Sequence, residues 1–426
     1  MSVGQKLELY TNFQQEEYMK IWFELVEKMN KEGFTWSSLL ENDEWNQYMS
    51  PSLYVMNEPI WNDIQLATAH ITHIFQKTYE NIRDNRELLF KLKIPYPLVE
   101  AIFAEQGNSL FSYFIRYDLI LHNDQIKLIE ANVDTPTGLM EPSVANRIIC
   151  EKHGVTHPNT IEEKIQDAWK RIISDYQIQK EDKIFFTSFG WHEEDHNTTM
   201  FIKQHCDHPL TEYVDIADII VSEDGLYSPQ GEPIRFLYRL YPLEFLLNDV
   251  DDEGNRIGET FLNLVAENKV KLINPPSAFL IQTKTVLALI WELYEQDSPL
   301  FTNEEKEIIQ RYFLPTYFSP ERFISSQSAY VSKPIWGREG GGVSIIEREA
   351  VMAEDQTEYY YKQDKIYQQY IEMPDQAIGT WDGDYHGKLL IGSHAIGGTP
   401  AGIFLRVGEK ITGNLSMFMG LTVEHN

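Results

Sequence analysis

Lys333-Pro334-Ile335-Trp336-Gly337-Arg338-Glu339-Gly340-Gly341-Gly342 is the stretch that decides how this chain is read. A strand-like run, Ser328 to Ser332, leads into it, and a second apolar run, Val343 to Ile346, leads out. The pattern predicts two paired strands joined by a glycine-rich turn, with a lysine delivered to its edge. Glycines lack a Cβ, so their backbone can approach a ligand closely and aim N–H groups at anionic oxygens. A flexible hairpin tip would carry the same glycines. The adjacent Lys333, Arg338 and Glu339 favour a phosphate chain as the ligand.

A second constellation lies upstream. Phe111 to Leu121 reads as a strand, His122 to Gln125 as a turn, and Ile126 to Asn132 as the returning strand. Alternate side chains of a strand share a face. Arg116 and Asp118 therefore point the same way, as do Glu130 and Asn132, and pairing around the turn would make the couples neighbours. Two carboxylates and an amide oxygen suit Mg²⁺, which takes hard oxygen ligands together with substrate phosphates. The same residues could instead form a surface ion-pair ladder bridged by Arg116. The run Asp134-Thr135-Pro136-Thr137-Gly138 follows directly, and its hydroxyls and N–H groups favour an anionic substrate beside the metal patch.

Two further groups admit two readings each. Lys284 opens a helix predicted over 283–295, where a cation opposes the helix dipole. It is either an exposed lysine or a phosphate contact. Glu193-Glu194-Asp195 follows a predicted strand and lies at its carboxyl end, where open α/β sheets bind ligands. It is either an ammonium site or an acidic cap for a helix expected from His196. The histidines show no zinc-ligand spacing.

Bulk properties bound the rest. A chain of 426 residues is too long for one ordinary core and predicts two or three domains. Its 36 Lys and Arg against 65 Asp and Glu leave a net charge of −29, which repels a nucleic-acid backbone and favours cationic partners, amines included. Two cysteines without metal spacing point to a reducing compartment. The Met1–Lys6 stretch lacks the apolar core of a signal peptide, and no apolar run reaches the roughly 18 residues of a membrane span. A cytoplasmic protein with no membrane and no nucleic-acid partner is the expectation.

Along the chain, residues 13–95 read as mostly helical, with apolar residues at helical spacing from Glu16 to Asn30 and from Ile64 to Asn85. The expected organisation is a helical N-terminal region (1–95) and a metal-bearing hairpin region (96–157). An α/β substrate subdomain (158–275), a glycine-loop lid (276–350) and a C-terminal sheet (351–426) complete it. Strands are predicted at 182–188, 365–371, 389–396 and 402–406, and strands or strand-bearing segments at 210–220 and 234–238.

Taken in order, Arg116-Tyr-Asp118, Glu130-Ala-Asn132-Val-Asp-Thr-Pro-Thr137, Lys333-Pro with Arg338-Glu339-Gly340, Tyr367-Gln-Gln-Tyr-Ile371 and Pro400-Ala-Gly-Ile through Arg406 form a recognisable series. The chain resembles the synthetase domain of the glutathionylspermidine synthase family, from about residue 15 to 420. That resemblance implies a mixed α/β ATP-grasp fold with a pre-ATP-grasp-like subdomain. It also implies an ADP-forming ligase that joins a carboxylate to an amine through an acyl phosphate.

By the same resemblance, ATP and Mg²⁺ are the cofactors, with Asp118, Glu130 and Asn132 on the metal. Glu339 would add a further charge to it, as the matching acid does in glutathione synthetases. Arg116 would stabilise the transferred phosphoryl group, and Arg338 would reach the acyl substrate. Lys284, Lys333, Gly340 and Gly341 would hold ATP phosphates. Gln369 and Ile371 would contact adenine, and Arg406 would complete the nucleotide site. Thr135 and Thr137, which stand where the family has serines, would face a peptide substrate, and Glu193 and Glu194 an amine. The C-terminal Gly413-Asn414 region offers no counterpart to the family's remaining polyamine-binding acid, and the chain lacks the extra amidase domain of bifunctional members. The alternative is a nucleotide-binding regulatory or scaffold protein of the same fold without turnover.

Overall fold

The computed structural model describes residues 6–8, 15–41, 43–105, 107–348, 350–360 and 362–424. Its centre is an eight-stranded sheet. In spatial order its main path runs Lys6–Glu8, Met49–Asn57, Met417–Glu424, Thr399–Gly408, Gly383–Ile396, Phe114–His122 and Gln125–Asn132, with Asp375–Thr380 also paired to Gly383–Ile396. All pairings are antiparallel except that of Met49–Asn57 with Met417–Glu424.

The period of two sorts side chains between the faces of this sheet. Ile403 and Leu405 join one core with Ile71 and Phe75 of the helix Glu58–Ile82. Phe404, between them, joins the other core with Ile149 and Trp169 of the helices Asn146–His153 and Ile161–Asp175. Two strands away, in Phe114–His122, Ile115, Tyr117 and Leu119 face the first core, so Arg116 and Asp118 lie on the side of Phe404.

A five-stranded antiparallel sheet carries the glycine loop. Its order is Thr316–Tyr317, Lys365–Gln369, Tyr330–Pro334, Ser344–Glu347 and Ala350–Glu354. Tyr330–Pro334 pairs with Ser344–Glu347 around residues 335–343, the strand–loop–strand expected from sequence. A parallel four-stranded sheet, in the order Lys271–Ile273, Phe236–Leu240, Ile184–Ser188 and Thr211–Tyr213, makes the third layer.

Some expectations need correction. The 13–95 stretch is interrupted by strands at Ser38–Glu41, Glu44–Gln47 and Met49–Asn57. Met49–Asn57 is almost wholly buried, and its serines read as surface residues only in isolation. Ser50 donates to the Gly379 carbonyl at 2.7 Å, and the Gly379 N–H donates to Ser52 at 3.0 Å. Its parallel partner, Met417–Glu424, comes from the far end of the chain, so no local signal announces either strand. Within 210–220 only Thr211–Tyr213 and the start of Ile220–Val221 are strand, with a short helical turn between them. The helix expected from His196 begins at Glu193, which places Glu193, Glu194 and Asp195 in its first turn. Lys365–Gln369 joins the glycine-loop sheet, whereas the later strands join the central one.

Candidate functional site

The hairpin register brings the two polar couples together. Arg116 pairs with Asn132 and Asp118 with Glu130, and the register then shifts by one residue past Asp118. The exit of the hairpin is stapled by buried amides. Asn274 accepts from the Tyr113 and Phe114 N–H groups and donates to the carbonyls of Phe114, Val133 and Asp134. Gln282 accepts from the N–H groups of Val133 and Asp134. Beneath them, Asp134 pairs with Arg239, both essentially without solvent exposure.

Cations surround the two hairpin carboxylates. Arg116 Nε donates to Asp118 Oδ1 at 2.9 Å, and Arg406 Nη2 to Asp118 Oδ2 at 3.1 Å. Lys284 Nζ donates to Glu130 Oε1 at 3.0 Å and to the Gly337 carbonyl at 2.6 Å. Lys284 is 4 % exposed, so it is not a surface lysine, and it links the hairpin to the glycine loop. Lys333 Nζ donates to the Ile129 carbonyl at 2.8 Å and to Gln368 Oε1 at 2.7 Å. Burial is the main cause that pushes the Lys333 ammonium down to about 8, with Lys284 adding to it and Glu130 and Asp118 opposing. The Arg116–Asp118 pair is buried, which rules out a surface ladder.

These groups open onto one cavity of about 480 Å³, a size suited to a small-molecule site. Arg116, Asp118, Glu130, Asn132, Thr135, Thr137, Glu194, Lys333, Arg338, Glu339, Gly340, Gln369, Ile371 and Arg406 all line it. Three expected residues do not. Lys284 sits behind Glu130. Gly341 is turned to the Tyr360 ring, where an added Cβ would come within 2.5 Å. Glu193 is exposed, on the outside of its helical turn.

Gly340 has φ +74°, and a Cβ there would lie 2.7 Å from Ile411 and 2.9 Å from the Thr412 carbonyl. Only glycine fits where the loop rests on the segment before the last strand. Glu339 accepts from Asn414 Nδ2 at 2.7 Å, so its carboxylate is tied to that segment and not bonded at the hairpin acids. Arg338 pairs through Nε with Glu244 and donates from Nη1 to Thr135 Oγ1 at 3.2 Å.

A second part of the cavity lining is acidic. Glu194, Asp195 and Glu339 line it beside Trp36, Tyr48, Trp191 and His192. Glu141 is fully buried behind them and accepts from Tyr48 Oη at 2.8 Å and Trp36 Nε1 at 3.1 Å. Burial first, then the charges of Glu141 and Asp195, push the Glu194 carboxyl up to about 8. The hydrogen bond to Asp195 raises the basicity of His192. Sequence reading missed Trp36, Tyr48, Glu141, Glu244, Gln368 and Asn414. Gln368 lies within the Tyr367–Ile371 motif without being singled out, and Glu141 stands three residues beyond the Asp134–Gly138 run; Trp36, Tyr48 and Glu244 carry no local motif.

The hairpin donors fit magnesium. Two carboxylates and an amide, all lining the cavity, make an oxygen set, and the Asn132 amide has a buried Nδ2 with no partner. No cluster of three His, Cys, Asp or Glu side chains suited to a metal occurs among the described residues. No described helix is long and apolar enough to cross a membrane.

A glycine-loop sheet and a large antiparallel sheet meeting at a cavity, with a parallel α/β layer alongside, define the ATP-grasp fold. Residues 18–424 match the family described as glutathionylspermidine synthase preATP-grasp, and the chain belongs to that family. It is 26% identical over 340 residues to a Haemophilus influenzae protein named "Putative acid--amine ligase", covering 76% of each chain. The apo structure of a glutathione synthetase-like effector from Globodera pallida superposes with a TM-score of 0.60 at 10% identity, covering 97% of this chain and 99% of that one. That likeness concerns the fold.

Proposed function

We propose that this chain is an ATP-dependent, ADP-forming ligase that joins a peptide or amino-acid carboxylate to an amine. The observation that carries this reading is one cavity lined both by the cations Arg116, Lys333 and Arg406 and by the acids Glu194 and Glu339, which have no lysine or arginine partner among the described ion pairs. A nucleotide phosphate chain and a carboxylate suit the first, and an ammonium suits the second.

A carboxylate is a poor electrophile. In the proposed reaction a carboxylate oxygen attacks the γ-phosphoryl group and ADP leaves. The amine nitrogen then attacks the acyl carbon, inorganic phosphate departs, and the nitrogen loses a proton. Magnesium held by Asp118, Glu130 and Asn132 would offset charge on the phosphates. Lys333 would contact those phosphates, Lys284 would hold Glu130 and the Gly337 carbonyl from behind, and Gly340 and Gly341 would support the loop over them. Arg116 would face the charge that grows on the transferred group. Gln369, Ile371 and Arg406 would complete the nucleotide site.

Thr135, Thr137 and Arg338 would hold the acid. Glu194 would hold the amine and, as carboxylate, accept its proton. Glu193, exposed, would contribute only long-range charge. A cavity sealed by the glycine loop would keep water from the acyl phosphate.

The test is ADP release with a matrix of amines and peptide or amino-acid acids under Mg²⁺, with the amide identified by mass. Turnover that vanishes in Lys333→Met supports the ligase. Nucleotide binding with no ADP from any pair would sink it in favour of a regulatory protein of the same fold.

A further inference from the structure

Arg338 is the one guanidinium the glycine loop sends into the cavity, and its surroundings are unusually specific. Nε pairs with Glu244, Nη1 donates to Thr135 Oγ1 at 3.2 Å, and Nη2 is buried with no partner among the described residues. Glu244 lies in the short helix Leu243–Leu246, which follows the parallel strand Phe236–Leu240. That helix is not loosely placed. The Leu243 N–H donates to Asp134 Oδ2 at 3.1 Å, and the same carboxylate takes Arg239 Nη1 at 3.2 Å. Arg239 is 1 % exposed and also donates to the Tyr241 carbonyl at 2.8 Å. Asp134 is the neighbour of Thr135 in the chain. Both partners of Arg338, Glu244 and Thr135, are therefore referenced to one buried ion pair.

We propose that Glu244 is a positioning residue: it anchors the glycine loop to the parallel-sheet layer and turns Arg338 so that Nη2 is the donor left for the acid substrate. The proposal rests on the ligase reading for the identity of that substrate, but the anchoring itself does not. A planar guanidinium offers donors in a fixed fork, so pinning Nε and Nη1 dictates where Nη2 points. A lone hydroxyl contact from Thr135 would leave the plane free to rotate. Removing Glu244 would also leave a buried cation unpaired, which disfavours the seated loop. The Phe245 ring, 6.0 Å from the guanidinium carbon, borders the same seat.

Three variants test this: Glu244→Gln, Glu244→Ala and Arg338→Lys. Trypsin cleavage after Arg338, followed by mass spectrometry without any substrate, reads whether the loop is seated. Glu244→Ala is expected to be cut about ten-fold faster than wild type, with Glu244→Gln between them because its amide oxygen can still accept from Nε. In turnover, KM for the acid is expected to rise about ten-fold in Glu244→Ala while KM for the amine stays put, and Glu244→Gln again recovers part of the loss. Arg338→Lys, which keeps the charge but loses the fork, is expected to raise KM for the acid as Glu244→Ala does. A wild-type KM in that variant would sink the proposal.

Thermal melting identifies folded variants, and the isosteric Glu244→Gln keeps the test open if the alanine does not fold. Unchanged cleavage and unchanged acid KM in a folded variant would overturn the proposal. Faster cleavage with unchanged acid KM would also overturn it, leaving Glu244 a mere loop tether. A raised acid KM with unchanged cleavage would make Glu244 a substrate contact, which is a third way to lose. Because the trypsin arm needs no substrate, absence of turnover in wild type would sink the ligase reading separately from the anchor.

Discussion

The hairpin charges and the acidic group of the cavity are built on different principles. At the hairpin both carboxylates already have cationic partners, while Lys333 bonds only a carbonyl and an amide oxygen. Asp118 lies between Arg116 and Arg406, and Glu130 meets Lys284. The backbone there is sheet, and strand register sets the spacing. In the acidic group Glu141, Glu194 and Glu339 have no lysine or arginine partner among the described ion pairs, and they stand respectively on a helical turn, the first turn of a helix and a loop. The hairpin carboxylates are compensated internally. The acidic group is uncompensated and suits a cation brought in from outside. In the proposed reaction, charges arranged in this way would orient two substrates of opposite charge before any chemistry begins.

The strongest attempt to break this contrast is Asp118→Asn. It leaves two buried guanidinium groups without their countercharge, so a stability loss of about 3–5 kcal/mol is expected by denaturant titration. ADP release should fall about 100-fold or more. Stabilisation of the melt by Mg²⁺ with nucleotide should disappear. Unchanged activity would mean that the hairpin acids are scaffolding only.

Next in size is the glycine loop. Gly340→Ala forces a side chain onto φ +74° and against Ile411 and the Thr412 carbonyl. A loss of about 1–2 kcal/mol is expected from the left-handed backbone alone, with a lower kcat. A variant with wild-type melting and rate would show that the loop does not depend on that contact.

The acidic group should reveal itself through pH. Glu194 has its carboxyl pushed up to about 8, above the ordinary value near 4.5. Between those pH values the folded protein keeps a proton that the unfolded chain has released, so this group's contribution to stability falls as pH rises across that window. Glu194→Gln should therefore melt higher than wild type above pH 8, and no differently near pH 4. Its amine KM should lose the improvement that wild type shows as Glu194 ionises between pH 7 and 9. Parallel KM profiles for the two proteins would remove Glu194 from amine binding.

The smallest effect sharpens the assignment to one carboxylate of the pair. Glu193→Gln is expected to change amine KM by less than about two-fold, because an exposed charge is screened. A Glu193 effect equal to that of Glu194 would contradict the geometry.

Much of the hairpin group was legible before any coordinates. Arg116, Asp118, Glu130 and Asn132 lie close in sequence around one turn, and the strand period places them on one face. The glycine loop was legible for the same reason, since its lysine, arginine and glycines are consecutive. The acidic group was only half visible. Glu194 could be named from its place after a strand, but Glu193 could not be separated from it, because the start of the helix decides which side chain turns inward. Tyr48, Glu141, Glu244 and Asn414 were invisible, since each matters through a partner distant in sequence. The Met49–Asn57 strand was lost in a helical neighbourhood because its pairing partner begins at Met417.

The sequence by itself determined the mixed α/β class, the polar couples of the hairpin and the strand–glycine loop–strand that meets it. These depend on local periodicity and on residues a few positions apart. Tertiary structure alone decided that Lys284 bonds to Glu130, that Arg406 shares Asp118, and that Arg338 is seated on Glu244. It also decided that the uncompensated Glu194 and Glu339 share one cavity with the hairpin acids. Contacts of that kind pair residues remote along the chain, and only the packing of three sheets against one another fixes which of them come within hydrogen-bonding distance.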